Sequence, residues 1–242
     1  MMKKLLLILL CLPMIGFGQQ VYVPDDNFEN YLEANGMGDG IALNDYVNPL
    51  NIYSVTYLNL SNILIMDYTG LAGFGQLEEL YLSYVTEIPG NINFPILPNL
   101  KSLYPGDLTG IDMTYFPNLE VLSCGSCNLT GIDVSQNINL QTLLIGPIFN
   151  QDSLILTNNI ELERLEIGIN GSGTVSDITY LDVSNNNKLH TIIIRNAPIS
   201  EITLANDSLN YLGIMNTNIR CLDLSSKNYI NSLNINNNTL LK

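Results

Sequence analysis

Two cysteines three residues apart, Cys124 and Cys127, lie in the stretch NLEVLSCGSCNLTGIDVSQNINLQTLLI, residues 118 to 145. A CxxC pair exchanges disulfides when it opens a helix in an α/β setting, and it supplies half a zinc site when two more Cys or His ligands are at hand. Beyond the N-terminal leader described below, the chain offers only Cys221 and His190 for that purpose. With a single histidine, a nucleophilic triad has no second candidate for its base, and no HExxH, phosphate-binding glycine loop or GxSxG elbow occurs. The remaining pair that could do joint chemistry is Glu79 with Glu166, as the two carboxylates of a glycoside hydrolase.

Whether any of these groups can meet depends on the elements that carry them. Leu119, Leu122, Cys124, Cys127 and Leu129 fit the spacing LxxLxLxxN/CxL, a leucine-rich repeat. The same ruler restarts at Val55, Leu77, Leu100, Leu119, Leu140, Leu162, Leu189, Leu209 and Ile230, in steps of 19 to 27 residues. Side chains on a strand alternate faces, so each LxL core points its apolar residues inward, and one coil can bury them only against its neighbours. The fold expected is an α/β or mostly β repeat, a right-handed leucine-rich repeat solenoid of about nine coils with short strands on the concave face. Alternating segments at 110–114, 131–135, 180–184, 201–205 and 221–225 predict a convex side of short extended pieces. The longest step contains INGSGTVSD, residues 169–177, which reads as a surface loop.

On this ruler Cys124 takes an inward position and Cys127 the N/C position. The pair reads first as buried structural thiols, then as a local disulfide, and last as metal or redox chemistry. Glu79 and Glu166 fall four coils apart, roughly 19 Å at the spacing of neighbouring strands, which is too far for either glycosidase mechanism. The chain is expected not to be an enzyme and to need no cofactor.

Composition and the two ends set further bounds. Lys3 and Lys4 followed by LLLILLCLPMIGF predict a signal peptide over 1–18, with Gly16 and Gly18 before the cleavage point. Its removal leaves a formal charge of −16, which speaks against nucleic acid and anionic lipid as partners. No later run is long enough to span a membrane. Residues 19–54 are expected to cap the stack, with a helix in PDDNFENYLEANG capped by Asp25 or Asp26. The following NGMGDGIALND reads as a capping loop, with a calcium loop the minor alternative. The solenoid, 55–242, stops before the second extended piece of its last coil; a longer parent chain, self-association through that coil, or simple fraying are the expectations.

The export signal, VPDDNFENYL and LTGIDVSQNINLQTL resemble secreted leucine-rich repeat proteins of the flavobacterial type. The repeats, including the Cys-bearing coil, are similar to those of the internalin family. The resemblance covers nearly the whole mature chain and implies an extracellular interaction or adhesion protein without catalytic activity. Partners differ among such proteins, so no binding residue carries over. The chain departs from the consensus at Val85, Leu108, Ile148, Ala197 and Thr217, where Asn or Cys is expected, and this predicts a loosened asparagine ladder.

Strand residues that point outward tile the face a partner would meet. The residues two and four places after each ruler start give Tyr57, Tyr81, Tyr104, Leu144, Arg164, Ile193 and Tyr211; with Tyr84 and Arg195 they form the candidate partner-binding set. Tyrosines suit interfaces, although they are also ordinary residues of half-exposed strands. Arg164, His190 and Arg195 make either a basic spot for an acidic ligand or a set of charges neutralised by Glu163 and Glu166. Asp112, Asp133, Asp182 and Asp223 recur on the side face, where solvated carboxylates are favoured over a bound cation. The function expected is protein–protein recognition at the cell surface or outside the cell. A glycan ligand is the alternative, and a structural segment of a longer surface protein comes third.

Overall fold

The structure, a computed structural model, describes residues 20–82, 94–106, 111–125, 127, 129–168, 174–204, 209–225, 227 and 230–242. The expected signal peptide, Tyr84, Val85, Leu108 and residues 169–173 of the glycine-rich insertion lie outside the described residues.

The chain enters through β1 (Val21–Tyr22), α1 (Asp26–Ala34), β2 (Tyr46–Val47) and α2 (Pro49–Ile52). Asp25 caps α1 by accepting from the backbone N–H groups of Asn27 and Phe28, two of the donors that a helix start leaves without partners. Its second oxygen accepts from Met66 N–H at 2.7 Å, which ties the helix to the first coil. Phe28 and Leu32 are fully buried, and Phe28 stacks on Phe74 with ring centroids 6.3 Å apart. The segment docks closely because Gly70 and Gly73 lack side chains. A Cβ on Gly73 would come within 2.5 Å of Ile52 Cδ1, and one on Gly70 within 2.8 Å of Val23.

Each ruler start is followed two residues later by a strand. These are β3 (Tyr57–Asn59), β4 (Glu79–Tyr81), β5 (Ser102–Tyr104), β6 (Val121–Cys124) and β7 (Thr142–Ile145), then β9 (Arg164–Ile167), β11 (Thr191–Ala197), β13 (Tyr211–Thr217) and β14 (Ser232–Asn234). They pair in parallel, each with the next, into a nine-stranded sheet. The leucine spacing accounts for this. Leu58, Leu80, Leu103, Leu122, Leu143, Leu165, Ile192 and Leu212 are at most 1% exposed and form one column of a single core. Burying a leucine contributes about 1.5–3 kcal/mol, and here the burial comes only from adjacent coils. In β14, at the end of the strand order, the equivalent Leu233 is 45% exposed. The architecture is a repeat β-solenoid with short strands and little helix.

The opposite side departs from the expected run of extended pieces. Strands form at β10 (Tyr180–Asp182) and β12 (Glu201–Thr203), joined in parallel by β8 (Ser153–Leu154), which was not anticipated. Met113–Tyr115 is a 3-10 turn instead, and residues 131–135 and 221–225 form no strand. Neighbours decide the difference: Tyr180–Asp182 lies between Ser153–Leu154 and Glu201–Thr203 and pairs with both. Asp112, Asp133, Asp182 and Asp223 each accept from the backbone N–H two residues on, at 2.8–2.9 Å, closing tight local turns.

Two further expectations need correcting. Cys124 and Cys127 are not a pair of thiols but a disulfide. Cys127 N–H donates to Cys124 O at 3.1 Å, and this turn brings the two Cα atoms to 5.2 Å, within bonding range. The asparagine ladder is not loosened but displaced. Ile148, Ala197 and Thr217 are buried at the consensus position, while Asn137, Asn159 and Asn186, three residues before their ruler starts, are wholly buried. Each donates from Nδ2 to two backbone oxygens: Asn137 to Met113 and Phe116, Asn159 to Val134 and Asn137, and Asn186 to Leu156 and Asn159. Earlier coils place Phe74, Leu97 and Phe116 at the same position, so an apolar spine passes into a polar one at Asn137.

Candidate binding site

The strand residues that do not face the core form the candidate site. Tyr57, Tyr81 and Tyr104 stand on the solvent side of β3, β4 and β5, and register places Tyr81 directly across from Tyr104. The Tyr81 and Tyr104 rings are parallel with centroids 4.0 Å apart, and Tyr57 leans against Tyr81 at 5.6 Å. Tyr57 is 51% exposed. Strand spacing and aromatic side chains on one face together produce this ladder.

Glu79, one place across from Tyr57, completes the cluster. The Tyr81 hydroxyl donates to Glu79 Oε1 at 2.8 Å. That bond, reinforced by burial and by the Tyr104 hydroxyl, holds the Tyr81 phenol well above its ordinary value of 10.0. Beyond the strand ends the ladder opens into a cleft of about 300 Å³, lined by Ser61, Tyr81, Leu82, Tyr104, Gly106 and the disulfide-bearing turn from Ser123 to Gly125. The disulfide thus forms part of the wall beside the ladder.

Farther along the sheet the character changes. Glu166 is only 6% exposed, and Arg164 Nε donates to its Oε1 at 2.9 Å while Arg195 Nη1 lies 3.4 Å from its Oε2. Of the two expectations for the basic spot, neutralisation by Glu166 is the arrangement present. His190 is exposed and its Nδ1 contacts Thr191 Oγ1 at 2.9 Å. Ile193 lies across from Glu166 and is 7% exposed, so it offers a partner little surface; Leu144 and Tyr211 are half-buried. The structure therefore brings Tyr57, Tyr81 and Tyr104 into one cluster and Arg164 and Arg195 into another. Four strand steps, about 19 Å, separate Glu79 from Glu166.

Near the N-terminus, carboxylate oxygens of Asp26, Glu29 and Asp45 lie within 4.8 Å of one another. Glu29 is fully buried, yet its oxygens already accept from the backbone of Asn44 and Asp45, each at 2.9 Å. Glu33 holds Asp39 and Gly40 in the same way. These carboxylates fasten the loop to α1.

Sequence reasoning passed over Glu79 as a partner of Tyr81 and over the buried asparagines. Both had a signal. Glu79 occupies the outward position two residues before Tyr81, and Asn recurs three residues before Leu140, Leu162 and Leu189.

No protein-family model and no curated protein matches the chain. Among solved structures it is similar to the functional domain of InlJ from Listeria monocytogenes, described as including a cysteine ladder. Identity is 20%, the match covers 94% of this chain and 76% of that one, and the TM-score is 0.40. An internalin, inlF, from the same species is similar at 14% identity over 91% of this chain and 81% of that one, again with a TM-score of 0.40. Both likenesses are distant and carry nothing about ligands. Among the described residues no helix is long and apolar enough to cross a membrane.

Proposed function

We propose that the chain is an exported, non-catalytic binding module, a right-handed solenoid of nine coils that recognises a protein partner through the concave face of its large sheet. The observation that carries this reading is the ladder of Tyr57, Tyr81 and Tyr104 on the solvent side of a rigid sheet, beside an open cleft. Tyrosine gives a large contact area at low entropic cost, and its hydroxyl tolerates water before the partner arrives. The export signal and the flavobacterial-type resemblance of VPDDNFENYL support a place outside the cell. The second reading, a glycan ligand, draws on the half-exposed Tyr57 ring, on which a sugar could stack.

The test is capture from extracellular material with three baits: the native chain, Tyr81→Ala/Tyr104→Ala, and Tyr180→Ala on the opposite side. Proteins retained by the first and third but lost from the second support the reading. Identical sets from all three contradict it. Elution by soluble oligosaccharide would transfer the face to glycans.

A further inference from the structure

The charges around the tyrosine ladder narrow the chemistry of the partner. Between Gln19 and Leu100 the chain carries ten Asp or Glu residues and no Lys, Arg or His. The next basic residue, Lys101, is 2.9 Å from Glu78, and Arg164 and Arg195 are both joined to Glu166. These cations beside or on the sheet face therefore have acidic partners already. Glu79 has none of the opposite kind: among the described residues its carboxylate meets only the neutral Tyr81 hydroxyl. It lies directly across from Tyr57 and two residues before Tyr81, whose rings are 5.6 Å apart. Ring faces carry partial negative charge, and a guanidinium both stacks on them and bonds carboxylates.

We propose that the partner segment docked on this face is cationic, with an arginine guanidinium stacked on the half-exposed Tyr57 ring and bonded to Glu79, directly across from it. The inference rests on reading the sheet face as the binding surface. It adds the charge of the occupant and one specificity-determining residue. The acidic N-terminal region steers such a segment toward the ladder, and the paired Arg164–Glu166–Arg195 cluster marks where the attraction ends.

The probe is a fluorescein-labelled, arginine-rich Gly-Ser peptide, followed by anisotropy against the mature chain. The same peptide with citrulline for arginine keeps the shape and removes the charge. Glu79→Gln and Tyr57→Leu are each expected to weaken binding roughly tenfold, the size of one desolvated cation–π or charge-assisted contact. Glu201→Gln, on exposed β12, removes an equal charge from the opposite side and should change binding less than about twofold. Citrulline should abolish measurable binding.

Equal losses from Glu79→Gln and Glu201→Gln would reduce the attraction to the overall field and overturn the proposal. So would a citrulline peptide that binds as well as the arginine one, or displacement by a neutral oligosaccharide. The two levels of the reading fail differently. If Tyr81→Ala/Tyr104→Ala abolishes partner capture while Glu79→Gln leaves it intact, the binding face stands and the cationic occupant falls.

Discussion

Asn159→Ala should remove about 1–3 kcal/mol of stability. The Asn159 side chain is wholly buried, and its Nδ2 donates to Val134 O and Asn137 O, both at 2.9 Å. Each bond is worth about 0.5–1.5 kcal/mol net. Val134 O and Asn137 O keep the backbone N–H of Asn137 and Leu140, at 2.9 and 3.1 Å, so neither carbonyl is orphaned. Oδ1 has no partner among the described residues, so its removal offsets part of the loss. The comparison is Asn158→Ala, one residue earlier, whose amide donates to Ser135 O at 3.1 Å on the exposed surface. That change should stay within about 0.5 kcal/mol. Urea unfolding followed by far-ultraviolet circular dichroism reads both variants against the native chain. Equal midpoint shifts for the two, or a loss below about 1 kcal/mol at Asn159, would refute the assignment of the polar spine as the support of the middle coils.

Three other outcomes are expected. Iodoacetamide should alkylate only Cys221 of the unfolded, unreduced mature chain, and Cys124 and Cys127 as well after reduction, as counted by mass spectrometry; labelling of all three without reductant would contradict the disulfide. The Tyr81 phenol, raised chiefly by its bond to Glu79, should ionise above 10.0 in a spectrophotometric titration, and Glu79→Gln should bring it down. Because the folded value is the higher one, its contribution to stability is complete below pH 10 and disappears as pH rises through the folded value. Asp112, held down first by the Thr114 hydroxyl, and Asp133, held down first by the Ser135 backbone N–H, should both titrate below 3.8 by carbon-detected NMR. Their contribution is present above the unfolded value and is lost as pH falls through the folded one.

The strands were legible because a leucine every twenty-odd residues leaves the chain one way to bury its apolar side chains. Strand register then placed Tyr81 beside Tyr104 with no further information. The disulfide was harder to read. A CxxC pair bonds or stays reduced according to the turn between its members, and the inward ruler position of Cys124 pointed first to a plain core thiol. The asparagine ladder was looked for where the repeat consensus puts it, whereas in this chain buried amides give a second donor to turn carbonyls such as those of Val134 and Leu156, ahead of each strand. The convex strands were overcounted because GIDVS and YLDVS alternate alike, and only the latter has neighbours at Ser153 and Glu201 to pair with. At Glu166, a carboxylate on an outward position is drawn almost out of solvent by two arginines from different strands, which no local pattern shows.

The binding face itself is tested most directly by photo-crosslinking. p-Benzoylphenylalanine replaces Tyr104 in one sample and Tyr180, on the opposite sheet, in another, and each is irradiated with the extracellular fraction of the native cells. A discrete adduct from position 104 and none from position 180 is the predicted result. An adduct from 180 alone, or from neither position, would contradict the tyrosine ladder as the surface that meets a partner.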